Sequence, residues 1–444
     1  MPALFGFSAA ASAHTPRGCA EARRASGNLE ATVSTSPASA SVLTSGSEPA
    51  FPVFRLLVLA GAIFVSVSSE FLPTALLPNI AADLGVSESK VGILVTVFAG
   101  TVALTSIPMT ILTRRHSRKA LLIITLSVFA ISNVLSAIAP TYETLLATRV
   151  LGGLAHGLFW AVAGPYAALL VTPRQLARAI ALTTGGGSLA FILGVPFAAA
   201  LGFALGWRLA FVAMAVLVTA FLVLTIVALP SVDHRPRLTT GAIAVPLRQD
   251  RSLRAVLLVA VSVLLLATGH NAFYTYIAPW TIQIGGVSPD LVSVVLLAFG
   301  LAGLLGAVLA GVFGDRWPRL FVNVAGPAVA VMCVLLALFG HGFIAVVVLM
   351  MMWSTSFGGL PPMLHTRNLH GSSVPMRAIS GSIITTAFNI AIGLGALVGG
   401  VVLDHLGLAW VPWVSAGIVI VGAAFTLATD RARIAAHPAD AHRG

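Results

Sequence analysis

The chain has 444 residues, 58% of them hydrophobic and only 9% charged, with a formal net charge of +11 and a mean hydropathy of +0.99. Soluble globular chains run near half apolar and about a quarter charged. Composition therefore argues against a soluble enzyme, a nucleic-acid binder and a disordered protein. A membrane-spanning helix needs about 20 apolar residues, which leaves room here for roughly a dozen spans. The expected fold class is an all-α polytopic membrane protein.

Residues 1–53 are rich in Ala, Ser, Thr and Pro without sustained periodicity, and read as a disordered N-terminal extension. The apolar stretch from Leu4 to Ala13 is short and follows no positive charge, so a cleaved signal peptide is not expected. Twelve apolar segments follow, with predicted limits 54–78, 91–112, 120–139, 144–169, 178–203, 208–229, 255–279, 291–313, 320–340, 342–364, 378–402 and 408–429. They fall into two six-helix groups, 54–229 and 255–429. A basic linker at 230–254 joins the groups and a short tail, 430–444, closes the chain. Cys19 and Cys333 make no disulfide framework, and both read as inert small residues.

The basic residues give the orientation. Of the 25 Lys and Arg, only Lys90, Arg208 and the intramembrane Arg149 stand apart from the N-terminus, the even-numbered connections and the C-terminus. The positive-inside rule then puts both termini in the cytoplasm. The excess positive charge is a topology signal and implies no nucleic-acid partner. The two groups also match at a constant offset of 201 residues: Pro78 with Pro279, Gly85-Val86-Ser87 with Gly286-Val287-Ser288, Arg118 with Arg319, Leu205-Gly206 with Leu406-Gly407. Six spans per copy make these parallel repeats, an arrangement that encloses a central cavity able to open to either side. This is a transporter signal.

Ionisable groups within spans are costly and commonly functional. Glu70 is the acidic residue well inside a span, and an ionised carboxylate there is unfavourable unless a cation opposes it. It is thus a candidate proton carrier, the alternative being a structural ion pair between helices. Arg149 lies at a comparable depth in the fourth span, as partner to Glu70 or as a solute ligand. Arg149, Gly153, His156 and Trp160 share one helix face, read either as cavity lining or as helix packing around a satisfied histidine. On the seventh span His270 and Tyr274 share a face beside Asn271, and on the eleventh Phe388-Asn389 adds a further candidate. Polar and aromatic groups of this kind suit a small hydroxylated solute. Gly194-Val195-Pro196 in the fifth span permits a bend, making Gly194 and Pro196 a candidate hinge. No phosphate-binding G-x-x-x-x-G-K-[ST] loop, H-E-x-x-H motif or Cys/His cluster is present, so no nucleotide, metal or other cofactor is expected. A membrane-embedded enzyme would need a nucleophile or metal constellation that the sequence lacks.

The stretch from Glu70-Phe71-Leu72-Pro73 through Val91-Gly92 resembles the major facilitator superfamily, in particular its twelve-span drug/proton antiporter group with the bacterial sugar efflux transporters and arabinose efflux permeases. The resemblance covers about residues 54–430. Leu112 to Lys119 is similar to the superfamily's loop between spans two and three, with Arg115 and Arg118 as gating residues. The repeat copy, Gly311 to Arg319 with Asp315, Arg316 and Arg319, fits that motif better, since Arg114 stands where the first copy's Asp would sit. Arg149-Val150-Leu151-Gly152-Gly153 resembles the fourth-span motif tied to proton coupling. Gly194-Val195-Pro196 resembles the fifth-span antiporter signature without its full glycine set.

The resemblance implies a proton-driven exporter of a small solute in a bacterial inner membrane, with Glu70 and Arg149 as the coupling pair and a monomer as the working unit. A sugar or sugar-like compound is the expected solute. A phenicol-type drug or a nucleoside is the alternative within the group, and a non-transporting membrane receptor is the alternative from another class.

Overall fold

A computed structural model describes residues 50–113, 116–231, 250, 252–314, 316–373 and 376–436. Among them twelve helices are long and apolar enough to cross a membrane. They are α1 (Val53–Ala75), α2 (Glu88–Leu112), α3 (Arg118–Ala137), α4 (Tyr142–Leu169), α5 (Pro173–Leu205), α6 (Trp207–Ala228), α7 (Leu253–Tyr274), α8 (Pro289–Phe313), α9 (Pro318–Phe339), α10 (Phe343–Gly371), α11 (Ile379–Leu406) and α12 (Leu408–Arg431). No strand occurs among the described residues. The predicted N-terminal extension and basic linker lie almost wholly outside the described residues.

Spans α1 and α7 stop short of their predicted limits at 78 and 279. Each gives way to a short helix, Leu77–Leu84 after the first and Ile277–Gln283 after the second. Pro78 and Pro279 explain the breaks, because neither can donate to the carbonyl four residues back. At the other extreme, the last helix runs on to Ala436, past the predicted end at 429.

The 201-residue repeat reappears as backbone geometry. Gly85 and Gly286 have φ of 63° and 66°, and Gly206 and Gly407 have φ of 92° and 90°. Only glycine adopts such angles at no steric cost, so the matched pairs turn the chain identically after the first and fifth connections of each half. These connections mark the arginine-poor end of the molecule.

Within each half, apolar helices gain nothing by leaving lipid, so close approach and dispersion hold them together. Gly186 on α5 sits against the Ala60 carbonyl of α1, and Gly61 faces the Phe221 ring of α6. The α5 helix carries a π segment, Ala190–Gly194, immediately before Pro196, and Gly194 there lies against the Ser68 side chain. Large apolar side chains such as Leu104, Val227 and Ile344 point outward, as lipid contact requires.

The halves meet through α2 with α11 and α5 with α8. Thr96 Oγ1 donates to the Gly393 carbonyl at 3.0 Å, Gln283 Nε2 to Glu88 Oε1 at 2.7 Å, and Gly300 packs on the backbone of Phe191 and Ile192. These contacts lie towards the arginine-poor end. There too the Asp83 carboxylate takes hydrogen bonds from Arg208 and, at 3.1 Å, from Trp207 Nε1, while Arg208 also reaches the Ala139 carbonyl. An apolar cavity of about 550 Å³ lies between α1, α5 and α6, lined by Leu57, Gly61, Phe64, Leu182, Leu189 and Phe221 among others. None of the predicted solute ligands lines it.

Gly186→Val should lower stability by about 1–3 kcal/mol, since backbone cannot move aside for the new side chain. Gly185→Ala, which meets open space, should be near neutral; equal thermal unfolding of the two variants in detergent would contradict this packing. A second expectation concerns pH. The Arg208 hydrogen bond holds the Asp83 carboxyl below its ordinary value of 3.8. Its contribution is therefore present at neutral pH and lost as pH falls through the lowered folded-state value. Asp83→Asn should unfold at a slightly lower temperature than the native chain at pH 7, and the gap should close in acid.

Candidate functional site

The site begins with a proline. Pro73 has no N–H, so the Ser69 carbonyl one turn earlier in α1 loses its helical donor. Arg149 of α4 supplies it: Nη1 donates to the Ser69 carbonyl at 3.1 Å and Nη2 to the Glu70 carbonyl at 2.8 Å. The guanidinium also lies 4.2 Å from the centre of the Phe98 ring on α2, an attractive placement for a desolvated cation. Arg149 is 2% exposed. The arginine thus grips the backbone of the turn that bears Glu70.

The Glu70 carboxylate turns to a different partner. Its Oε2 lies 3.3 Å from His156 Nε2, and Glu70 and His156 are 5% and 1% exposed. The imidazole is held on all sides. Nδ1 is 3.0 Å from Ser66 Oγ on α1, Trp160 Nε1 donates to Nε2 at 2.6 Å, and the rings of Phe98 and Phe129 meet it edge to face. Ser69 Oγ and Asn133 of α3 bond each other beside this group, at 2.9–3.1 Å. Gly153 lies against the Phe98 carbonyl and Thr101 of α2. The Arg149–Trp160 face therefore packs inside the first half, and of its members only Trp160 is partly exposed.

A second cluster occupies the other half. His270 stacks on Phe357 of α10 with ring centres 3.4 Å apart and planes 1° from parallel, and it also meets Tyr274 and Trp353. Phe299 of α8 completes an aromatic group with Tyr274 and Trp353. His270 Nδ1 and Trp353 Nε1 are buried without hydrogen-bond partners. Phe71, next to Glu70, joins the two clusters across the halves: its ring lies 5.8 Å from Tyr274 and 4.9 Å from Phe191 of α5.

The remaining predicted residues lie elsewhere. Asn271 bonds the Ala267 carbonyl of its own helix and faces Gly395 of α11. Asn389 bonds the Thr385 carbonyl in the same way. Neither has a hydrogen bond to His270 or Glu70 among the described residues. Arg316 stacks on Trp317 at 5.1 Å, and Arg118 begins α3. Arg115 and Asp315 fall outside the described residues. Sequence reasoning missed Ser66, Asn133, Phe71, Phe191, Phe299, Trp353 and Phe357. The spacing of Ser66, one turn before Glu70, was a usable signal. The aromatics were not distinguishable from ordinary apolar residues.

Comparison with known proteins follows from this geometry. The family model described as Major Facilitator Superfamily matches residues 59–373. The chain is 33% identical over 368 residues to a probable sugar efflux transporter of Mannheimia succiniciproducens, covering 82% of this chain and 90% of that one. It is 31% identical over 380 residues to a probable sugar efflux transporter of Helicobacter pylori strain J99, covering 85% and 95%. Among solved structures, a bacterial homologue of the human lysosomal transporter Spinster superposes with a TM-score of 0.71 at 16% identity, over 87% of this chain and 98% of that one. A peptide transporter POT in complex with sulfate gives 0.69 at 13% identity, over 85% and 94%. At such identities the structural matches speak for the fold alone.

Arg149→Lys keeps the charge but loses the fork that spans two carbonyls. It should lower stability by about 1–3 kcal/mol, whereas Phe98→Leu, which removes only the ring beneath the guanidinium, should cost about 1 kcal/mol. Thermal unfolding of both variants in detergent checks the order; a reversed order would place the main support of Arg149 on the ring.

Proposed function

The chain belongs to the major facilitator superfamily, and from that premise we propose that it exports a small sugar or sugar-like solute in exchange for protons, by alternating access. The observation that carries this reading is the Glu70 carboxylate. It lies buried in a spanning helix, faces an imidazole, and shares its turn with a bound guanidinium. A buried carboxylate that can gain or lose a proton as its surroundings open is what proton coupling requires. The relatives named as probable sugar efflux transporters support the solute class and the outward direction.

The proposed solute path runs between the halves. His270, Tyr274 and Trp353 offer ring faces and polar edges that suit a hydroxylated ring. The distribution of Arg supports a multi-pass protein of the bacterial plasma membrane with both termini in the cytoplasm. Closure of the halves at the arginine-poor end then corresponds to a form that loads solute from the cytoplasm. Nothing beyond a single copy is needed to assemble the site, in keeping with a monomer. A second reading, export of a phenicol-type drug or a nucleoside, is favoured by the parallel stack of His270 on Phe357, which an aromatic solute could extend.

The test is proton movement in everted vesicles, followed with a pH-quenched dye across a panel of pentoses, hexosides, nucleosides and phenicols. The expected outcome is a solute-triggered proton efflux that falls by about a hundredfold in Glu70→Gln. The panel member that triggers it fixes the solute class. Entry of a labelled solute without proton movement would overturn the coupling and leave a uniporter or coupling to another ion.

A further inference from the structure

Every residue lining the cavity between α1, α5 and α6 is Ala, Gly, Leu or Phe, and its volume is about 550 Å³. Water has no polar partner in such a space, and an empty one forfeits the dispersion contacts of its walls. In a bilayer the apolar material at hand is lipid chain. Leu57, Gly185 and Leu189 are exposed at the rim, and a side chain added at Gly185 would meet open space. On the other side of α5, Gly186 and Gly187 lie against Ala60, Ile63 and Val67 of α1. That contact closes the cleft towards the Glu70 site, so the cleft opens outward, to lipid.

The arginine-rich end of the cleft carries charge. Arg178, Leu182, Gly185 and Leu189 fall at i, i+4, i+7 and i+11, one face of α5, which places Arg178 one turn beyond the apolar lining. Arg178 is exposed. Its guanidinium lies 4.5 Å from the centre of the Phe51 ring, which covers one face and leaves the N–H edge for an acceptor. Arg174 and the positive start of the α5 dipole lie at the same end. No Asp or Glu occurs in residues 51–69, in α5 or in α6 to offset them. The repeat shows that the fold does not require this combination. At the 201-residue offset Ile379 and Thr386 stand in place of Arg178 and Gly185, so the second half has neither the arginine nor the glycine.

We propose that the cleft binds one anionic phospholipid of the leaflet at the arginine-rich end, with an acyl chain between α5 and α6 and the phosphate on Arg178. The dimensions agree. Leu182 to Leu189 covers about 10 Å of helix, along which the chain lies below a headgroup held by the N–H edge of the arginine. An arginine–phosphate pair is charge-assisted and favours two parallel hydrogen bonds. A zwitterionic lipid fills the cleft with the same chain but brings a cationic group beside Arg178 and the helix start. The bound chain also backs α5 where the halves join, since Leu189 lies two residues before Phe191, on whose carbonyl Gly300 of α8 packs. The site needs neither Glu70 nor the solute, and stands apart from the proposed transport reaction.

The test uses the full chain, stripped of lipid in detergent and titrated with dioleoylphosphatidylglycerol or dioleoylphosphatidylcholine, with native mass spectrometry reading the affinity of the first lipid bound. The expected result is a first step about fivefold tighter for the anionic lipid, the contribution of one basic residue near the surface. Arg178→Gln should bring the two lipids to equal affinity. Arg431→Gln, at an exposed position on α12, should leave the preference unchanged. Gly185→Leu, which fills the cleft, should weaken the first step severalfold for both lipids. Thermal unfolding of each variant checks the fold, and because Arg178 is exposed, Arg178→Gln decides the matter if Gly185→Leu does not fold. Equal first-step affinities in the native chain, a preference that survives Arg178→Gln, or first-step affinities unchanged in a folded Gly185→Leu would each overturn the site.

Discussion

The site depends on the seat of Arg149 against the turn of α1 that Pro73 leaves open. A proline within a spanning helix creates a carbonyl without a donor, and in a lipid environment no water stands by to satisfy it. Arg149 resolves that deficit while itself being a cation that needs acceptors. Each group corrects the other's fault, and the correction fixes α4 against α1 at the depth of Glu70. With the guanidinium engaged by backbone carbonyls and the Phe98 ring, the Glu70 side chain is left to His156. Under the proposed function the division matters, because a carboxylate locked in a direct ion pair would be held ionised.

Around this centre the architecture is a duplication in which one half carries the ionisable cluster. The φ angles of the glycine turns at 85 and 286, and at 206 and 407, repeat to within a few degrees, and the first span of each half breaks before a proline. The side chains at the equivalent depth do not repeat. Glu70 corresponds to Asn271, whose amide nitrogen donates to the Ala267 carbonyl of its own helix. The first half therefore holds the ionisable network, and the second holds the aromatic cluster around His270. Phe71 ties the two together because it follows Glu70 directly and meets Tyr274 across the junction. Movement of one half against the other would shift that ring and, with it, the turn that carries the carboxylate.

Much of this was legible in the residues. Glu70, Arg149 and His156 stood out because ionisable groups in apolar spans are rare, and they do converge. What could not be read was who bonds whom. Depth along a helix suggested Arg149 as partner to Glu70, yet the proline-freed carbonyl competes for the guanidinium and takes it. Asn271 and Asn389 stood out by polarity alone, and each donates an N–H to the carbonyl four residues back, an option invisible to spacing. Trp353 and Phe357 gave no signal because an aromatic in an apolar segment has the same appearance whether it faces lipid, core or cavity.

The sequence by itself determined the class, the twelve spans, the two copies and the rare ionisable residues inside apolar spans. These follow from hydropathy, from a fixed repeat offset and from the cost of burying ions, all of which are properties of residues taken one at a time or at regular spacing. Only the tertiary structure decided the hydrogen-bond partners and the aromatic bridge between halves. Those depend on helix rotation and on competition among several acceptors for one donor, and such competition is settled only when distant segments are brought within about 3 Å of each other.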